Sequence, residues 1–244
     1  MTGATSQVRA SALYLQINRP ERENRLDRAA LETMTAELAR AEAAGEARVV
    51  VISGTGTDFC AGGQVDGLAE GDVDRQLAFA DAFIGLHSQL RRMGTPVVCA
   101  VNGRCHAAGM SLLLAADMAV AAEHATFGYP EIEEGLFPVL ALASAVRLLP
   151  RKLVFELCYT GRLLSAREAL DLGIINKVVP REELEQATSD LVAAIASRSQ
   201  RALRIGRLAF HVMERADPDL ALEYGKPSLV SLLAGEVPRN SGWA

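Results

Sequence analysis

Two glycine-bearing segments carry the most legible chemistry of this chain. "FCAGGQ" (59–64) follows a β-branched run, and its Gly62-Gly63 pair lets the backbone approach a ligand without side-chain obstruction. "HAAGMS" (106–111) follows a second such run and leads into an apolar helix. The first N–H groups of that helix are unpaired and sit at its positive end. A glycine after a strand is by itself usually just a turn. Two such turns converging on one spot would supply paired N–H donors for negative charge developing on a carbonyl oxygen. Ser111 can orient water through its hydroxyl but is no base at neutral pH unless another group activates it.

The blocks "INRPERENRLD" (17–27), "VVVISGTGTDFCAGGQVDGL" (49–68), "VNGRCHAAGMSLLLAADMAVAAEHATFGYPEI" (101–132), "GLFP" (135–138) and "TGRLLSAREALDLGIINKVVP" (160–180) follow one another in this order. Together they resemble the enoyl-CoA hydratase/isomerase, or crotonase, superfamily. The resemblance implies an α/β fold, a ClpP/crotonase-like spiral of ββα units with a helical C-terminal region. It also implies an acyl-CoA thioester substrate and a homotrimer or dimer of trimers. It puts the two donors on the backbone N–H groups of Gly63 and Ala108. Ala61, Gln64 and Val65 match the segment lining the CoA groove, and Arg22 falls in the loop that commonly meets the CoA phosphates. Gln64 replaces the usual Asp of "AGGD", a generally structural position.

Two-glutamate hydratases of that family carry one catalytic Glu in the first turn of the helix after the second loop and another after an "FGxPE" phrase. Here the second is Glu131, while the first position is occupied by Ser111 at the family spacing. One carboxylate can still take a proton beside a thioester carbonyl and return it elsewhere, as in one-glutamate isomerases. A Ser/Glu pair also resembles the hydroxycinnamoyl-CoA hydratase-lyases, which use tyrosines to grip a phenol. Tyr129 and Tyr224 are the tyrosines to weigh, with ordinary packing as the plainer reading of both. The expected function is hydration or double-bond isomerisation of an enoyl-CoA. A hydratase-lyase is the alternative, and a non-catalytic acyl-CoA binder is the alternative of another class. No metal or organic cofactor is implied, since CoA arrives as part of the substrate.

Other candidates are less defined. Glu134 would share the cavity of Glu131 if this stretch is helical; exposure is the plainer reading for it and for Glu133. For His106 a structural hydrogen bond competes with catalysis. His87, His124 and His211 have no recognisable site context. Serine hydrolysis through Ser111 is disfavoured: Gly109-Met110-Ser111-Leu112-Leu113 lacks the closing glycine of GxSxG, and no His–Asp pair can be assigned to it.

The elements that must position these residues alternate between strand and helix patterns. Residues 11–18, 47–54, 96–103 and 118–123 read as strands. Asp27 is the predicted N-cap of a helix whose buried face is Leu31, Met34, Leu38 and Ala41. A second helix is predicted over 73–93, buried through Leu77, Phe79, Ala80, Phe83, Ile84 and Leu90. From residue 138 the chain reads as mostly helical, with an extended interlude at 175–180. Residues 1–195 form the expected core and 196–244 a helical C-terminal region for trimerisation or pocket cover. That tail lacks the family's "GxxAFxEKR" phrase, so the acyl group is the least transferable inference.

Bulk properties narrow the classes. A net charge of −5 argues against a general nucleic-acid binder. Arg201, Arg204 and Arg207 are the nearest thing to a basic cluster, read first as a solvated helix face and otherwise as a contact for an anion or subunit. Cys60, Cys99, Cys105 and Cys158 lack CxxC spacing and are expected to be free thiols. No leader-like N-terminus and no membrane-length apolar run is apparent, so a cytoplasmic protein is expected.

Overall fold

The computed structural model describes residues 3–65 and 72–234. The end of the block 49–68 and the last ten residues of the expected C-terminal region lie outside the described residues. Strand β1 (Ala4–Arg9) pairs antiparallel with β2 (Ala12–Ile17) across a turn of two residues, Ala10 and Ser11. Both have positive φ, 47° and 63°, the mirror-turn geometry that Asn-Gly usually signals. With that signal missing and β1 largely exposed, only residues 11–18 are legible as extended.

The chain continues through α1 (Arg28–Ala44), β3 (Val49–Gly54), α2 (Val73–Arg92), β4 (Val97–Val101), β5 (Cys105–His106), α3 (Ala108–Ala115), β6 (Met118–Ala122) and β7 (Thr126–Gly128). It ends with α4 (Leu142–Leu148), α5 (Arg151–Thr160), β8 (Leu163–Ser165), α6 (Ala166–Asp171), β9 (Lys177–Val179), α7 (Leu184–Ala196), α8 (Gln200–Met213) and α9 (Pro218–Leu233). The larger sheet has the order β1-β2-β3-β4-β6-β9, parallel from β2 onward; the smaller is β5-β7-β8. Successive strands β4 and β5, then β6 and β7, go one to each sheet, so these two excursions bring the chain to the same small sheet, whose β5 bridges to the first glycine loop. The buried runs of β3 and β4 explain their unbroken Val/Ile character, as parallel strands are covered on both faces. No helix among the described residues is long and apolar enough to cross a membrane.

Helix α1 buries Leu31, Met34, Leu38 and Ala41, the predicted face, and the Asp27 side chain accepts from the Ala30 N–H at 2.8 Å. Asp27→Ala should cost about 1 kcal/mol through the lost cap, lowering Tm by roughly 2–4 °C in a calorimetric scan. Helix α2 corrects the predicted face: Leu77 and Ile84 are 57% and 50% exposed, while Phe83, Leu86, His87 and Leu90 are buried. Leu77 and Ile84, seven residues apart, lie roughly 140° around the helix from the stripe that Phe79, Phe83, Leu86 and Leu90 define at spacings of three and four. One α-helix cannot bury both stripes against a single core, and here the Phe83–Leu90 stripe is the one that packs.

Candidate active site

The segment 59–64 is threaded between Leu26 and Cys105. Leu26 N–H donates to Gly62 O at 2.9 Å and Gln64 N–H to Leu26 O at 2.7 Å. On the other side Cys60 N–H donates to Arg104 O and His106 N–H to Cys60 O, both at 2.9 Å. These bonds press the two glycine loops together. Gly62 has φ 139°, and a Cβ on it would stand 3.3 Å from the Ala107 Cβ. Ala107 is itself at φ 52°, a left-handed kink held by its N–H on Gly128 O, and it turns the chain from β5 into α3. A Cβ on Gly109 would overlap the Cys60 carbonyl oxygen and lie 3.1 Å from the Cys60 Cβ.

Gly63 and Ala108 consequently line the same cavity, of about 510 Å³. Neither N–H has a hydrogen-bond acceptor among the described residues. Ala61 and Val65 also line it, with Phe79 and Phe83 of α2 and the run Leu136–Ala141 forming an apolar wall. Glu131 enters from the short helical turn Pro130–Glu134 that follows β7. Its Oε2 is buried with no hydrogen-bond partner. Burial pushes its pKa up to about 7; a bond from its own backbone N–H opposes this, the neighbouring Glu134 charge adds to it, and Arg25 opposes it. A carboxyl poised there is half ionised at neutral pH, so it can both take and give a proton.

Of the other predicted residues, Ser111 is fully buried and does not line the cavity. Its hydroxyl lies 2.7 Å from His87 Nε2. A histidine is therefore assigned to Ser111 after all, though His87 Nδ1 faces the Phe83 carbonyl at 2.9 Å where a hydrolase would place a carboxylate. Gln64 also turns away from the cavity and accepts from Arg19 Nη2 at 2.6 Å; Arg19 in turn pairs with Asp27 at 3.0 Å, tying the glycine loop to the start of α1. Arg22 is exposed outside the cavity wall. Glu133 and Glu134 are exposed yet stand on the cavity rim. His106 lines the cavity with Nε2 2.9 Å from Thr126 Oγ1, and burial followed by the Arg104 charge lowers its pKa to about 4, so it is neutral at pH 7. Tyr129 is buried outside the cavity wall, and Tyr224 lies on α9 away from it.

Sequence reasoning missed Arg25 and Arg104, both on the cavity wall. Arg104 is braced by Asp58 at 2.6 Å and Glu23 at 2.9 Å, and Arg25 approaches Glu23 at 3.4 Å. Their only sequence signal is position, each within three residues of a strand partner of the glycine loop. His87 was missed because its partner lies on another helix.

The two-sheet scaffold with paired glycine loops is the crotonase fold: human enoyl-CoA hydratase domain-containing protein 3 superposes with a TM-score of 0.92 at 27% identity, over 96% of this chain and 93% of that one. The chain belongs to the enoyl-CoA hydratase/isomerase family, whose model matches residues 7–223. The enoyl-CoA hydratase domain-containing protein 3 of Rattus norvegicus, described as mitochondrial, is 32% identical over 85% of this chain and 69% of its own. The carnitinyl-CoA dehydratase of Proteus mirabilis is 33% identical over 95% of this chain and 87% of its own.

Proposed function

We propose that this chain acts on an acyl-CoA thioester, with the Gly63 and Ala108 N–H groups holding the thioester oxygen and Glu131 moving the proton. The observation that carries the reading is a carboxylate, Glu131, with a buried and partnerless oxygen in the wall of the cavity that both unpaired N–H groups also line. Ionised Glu131 takes a proton from carbon next to the thioester, the electron pair moves onto the carbonyl oxygen, and the two donors stabilise that charge. The protonated Glu131 then delivers the proton to another carbon of the acyl chain, shifting the double bond. The sealed position of Ser111 favours this one-carboxylate isomerisation over hydration with two groups.

Loss of water from a 3-hydroxyacyl-CoA is the second reading, supported by the similarity to a carnitinyl-CoA dehydratase. The hydratase-lyase alternative lacks support, because no tyrosine lines the cavity among the described residues. Arg25 and Arg104 at the cavity wall, with Arg22 outside it, are the cations available to CoA phosphates. Exposed apolar side chains on α4 and α9, among them Val146, Leu148, Leu222 and Val230, support association with further copies.

Parallel incubation with a 3-enoyl-CoA, crotonyl-CoA, a 3-hydroxyacyl-CoA and feruloyl-CoA tests the reading. Conversion of the 3-enoyl-CoA to its 2-enoyl isomer is expected; binding of all four with turnover of none would favour the non-catalytic alternative instead. Because the base must be ionised, kcat is expected to rise with pH through a midpoint near 7 and to level off above it. A midpoint near the ordinary glutamate value, about 4.3, would detach Glu131 from the rate.

A further inference from the structure

Three helical segments each place one residue in the cavity wall and, one turn further on, a polar residue behind it. On α2 these are Phe83 and His87, on α3 Ala108 and Ser111, and at α4 Ala141 and Ser144. Ser111 links the other two: its Oγ is 2.7 Å from His87 Nε2 and 3.3 Å from Ser144 Oγ. Directions follow from the chemistry. A carbonyl can only accept, so the His87 Nδ1 that faces the Phe83 carbonyl carries a proton. The ring is 5% exposed and stacked on Phe83 at 4.2 Å, an environment that keeps it neutral and leaves Nε2 as an acceptor. The Ser111 hydroxyl donates to that nitrogen, and Ser144 is placed to donate to Ser111.

This cluster adds side-chain hydrogen bonds to a helix start that has no side-chain cap. Its N-cap is Ala107, which has no side chain to cap the turn, and its first turn holds no acidic residue. The Ser111 N–H closes the turn containing Ala108 by donating to Ala107 O at 3.1 Å. An eight-residue helix is marginal by itself and takes its direction from tertiary contacts. Ser111 is fully buried and bonded to a different helix, so it is built to hold this turn and not to meet substrate.

We propose that His87 and Ser111 are positioning residues, whose hydrogen bond pins the first turn of α3 to α2 and fixes the direction in which Ala108 N–H points into the cavity. The proposal rests on the thioester reading above, since it gives that N–H a carbonyl to hold. Serine at this position is then a tether for the donor, the role a hydroxyl with a histidine partner can fill and a solvent-facing carboxylate cannot.

The test uses Ser111→Ala, His87→Leu and His87→Gln, the last restoring an acceptor that can reach Ser111. Butanoyl-CoA labelled with carbon-13 at the carbonyl is bound to each protein, and the carbonyl stretch is read by infrared difference spectroscopy, independently of turnover. The wild type should shift the band to lower frequency. Ser111→Ala and His87→Leu should lose about half of that shift and about tenfold in kcat, with KM changed less than about twofold, because an interaction used mainly in the transition state is weakened. His87→Gln should recover most of both. An unchanged band in all three variants, or equal loss in His87→Gln and His87→Leu, overturns the proposal. Should His87→Leu fail to fold, Ser111→Ala, which removes one buried oxygen, decides alone. A wild type that binds butanoyl-CoA without any shift overturns the thioester reading itself, a result distinguishable from failure of the tether.

Discussion

Glu131→Gln is expected to lower turnover by a factor on the order of 10²–10⁴ while changing acyl-CoA affinity less than about twofold, because it removes proton transfer and little else. The same variant should also be more stable. Glu131 has its folded pKa raised from 4.5 to about 7, chiefly by burial. A raised acid means the folded state holds more protons than the unfolded state between those values, so stability falls as pH rises through that window. A rise of that size corresponds to at most about 3 kcal/mol, the cost of keeping this carboxylate ionised in the wall. A neutral glutamine escapes it. At pH 8 the variant should therefore melt several degrees above the parent, with the difference vanishing near pH 4. Kinetics with the substrate that the parallel incubations identify, and calorimetry at the two pH values, check both halves. A variant that keeps its activity would remove Glu131 from the chemistry. Equal melting at pH 8 would show that the carboxylate is better solvated than its partnerless oxygen implies.

That coupling of lost activity to gained stability is where sequence and coordinates inform each other most. The glycine loops, Glu131 and the strand–helix alternation are legible in the chain because each depends on local rules: φ requirements, periodicity and a phrase of fixed spacing. What is not legible depends on residues meeting from distant elements. His87 reads as an ordinary residue on α2 until α3 brings Ser111 within 2.7 Å. Arg25 and Arg104 become cavity residues only because Leu26 and Cys105 bridge to the glycine segment. Strand β1 is missed for the opposite reason: its turn is local, but it is built from alanine and serine in a backbone region that usually calls for glycine or asparagine. The position of Ser111 is legible and its environment is not. The sequence shows a carboxylate replaced, and only the packing shows that the replacement faces a histidine in the interior and not the cavity.

The other large effect concerns Gly109, whose role is purely one of space. Its φ is not in the left-handed region, so alanine would be conformationally acceptable there, indeed favoured in a helix. What forbids it is Cys60: an added Cβ would overlap the Cys60 carbonyl oxygen, which already accepts from His106 N–H. Cys60 is held through both its N–H and its carbonyl by the 104–106 segment and cannot give way as a flexible side-chain end would. Gly109→Ala must therefore push α3 away from the 59–64 loop, separating Ala108 from Gly63. Overpacking of this kind costs about 1–3 kcal/mol, and a displacement near 1 Å at a reacting site costs on the order of 10²-fold in rate. The expected result is a loss of that size in kcat, larger than the helix propensity gain could offset. The carbonyl band of bound butanoyl-CoA should lose its shift at the same time. If Gly109→Ala instead turned over normally with the band in place, the two N–H groups would not depend on the close approach of their loops, and the shared oxygen site would have to be assigned elsewhere in the cavity.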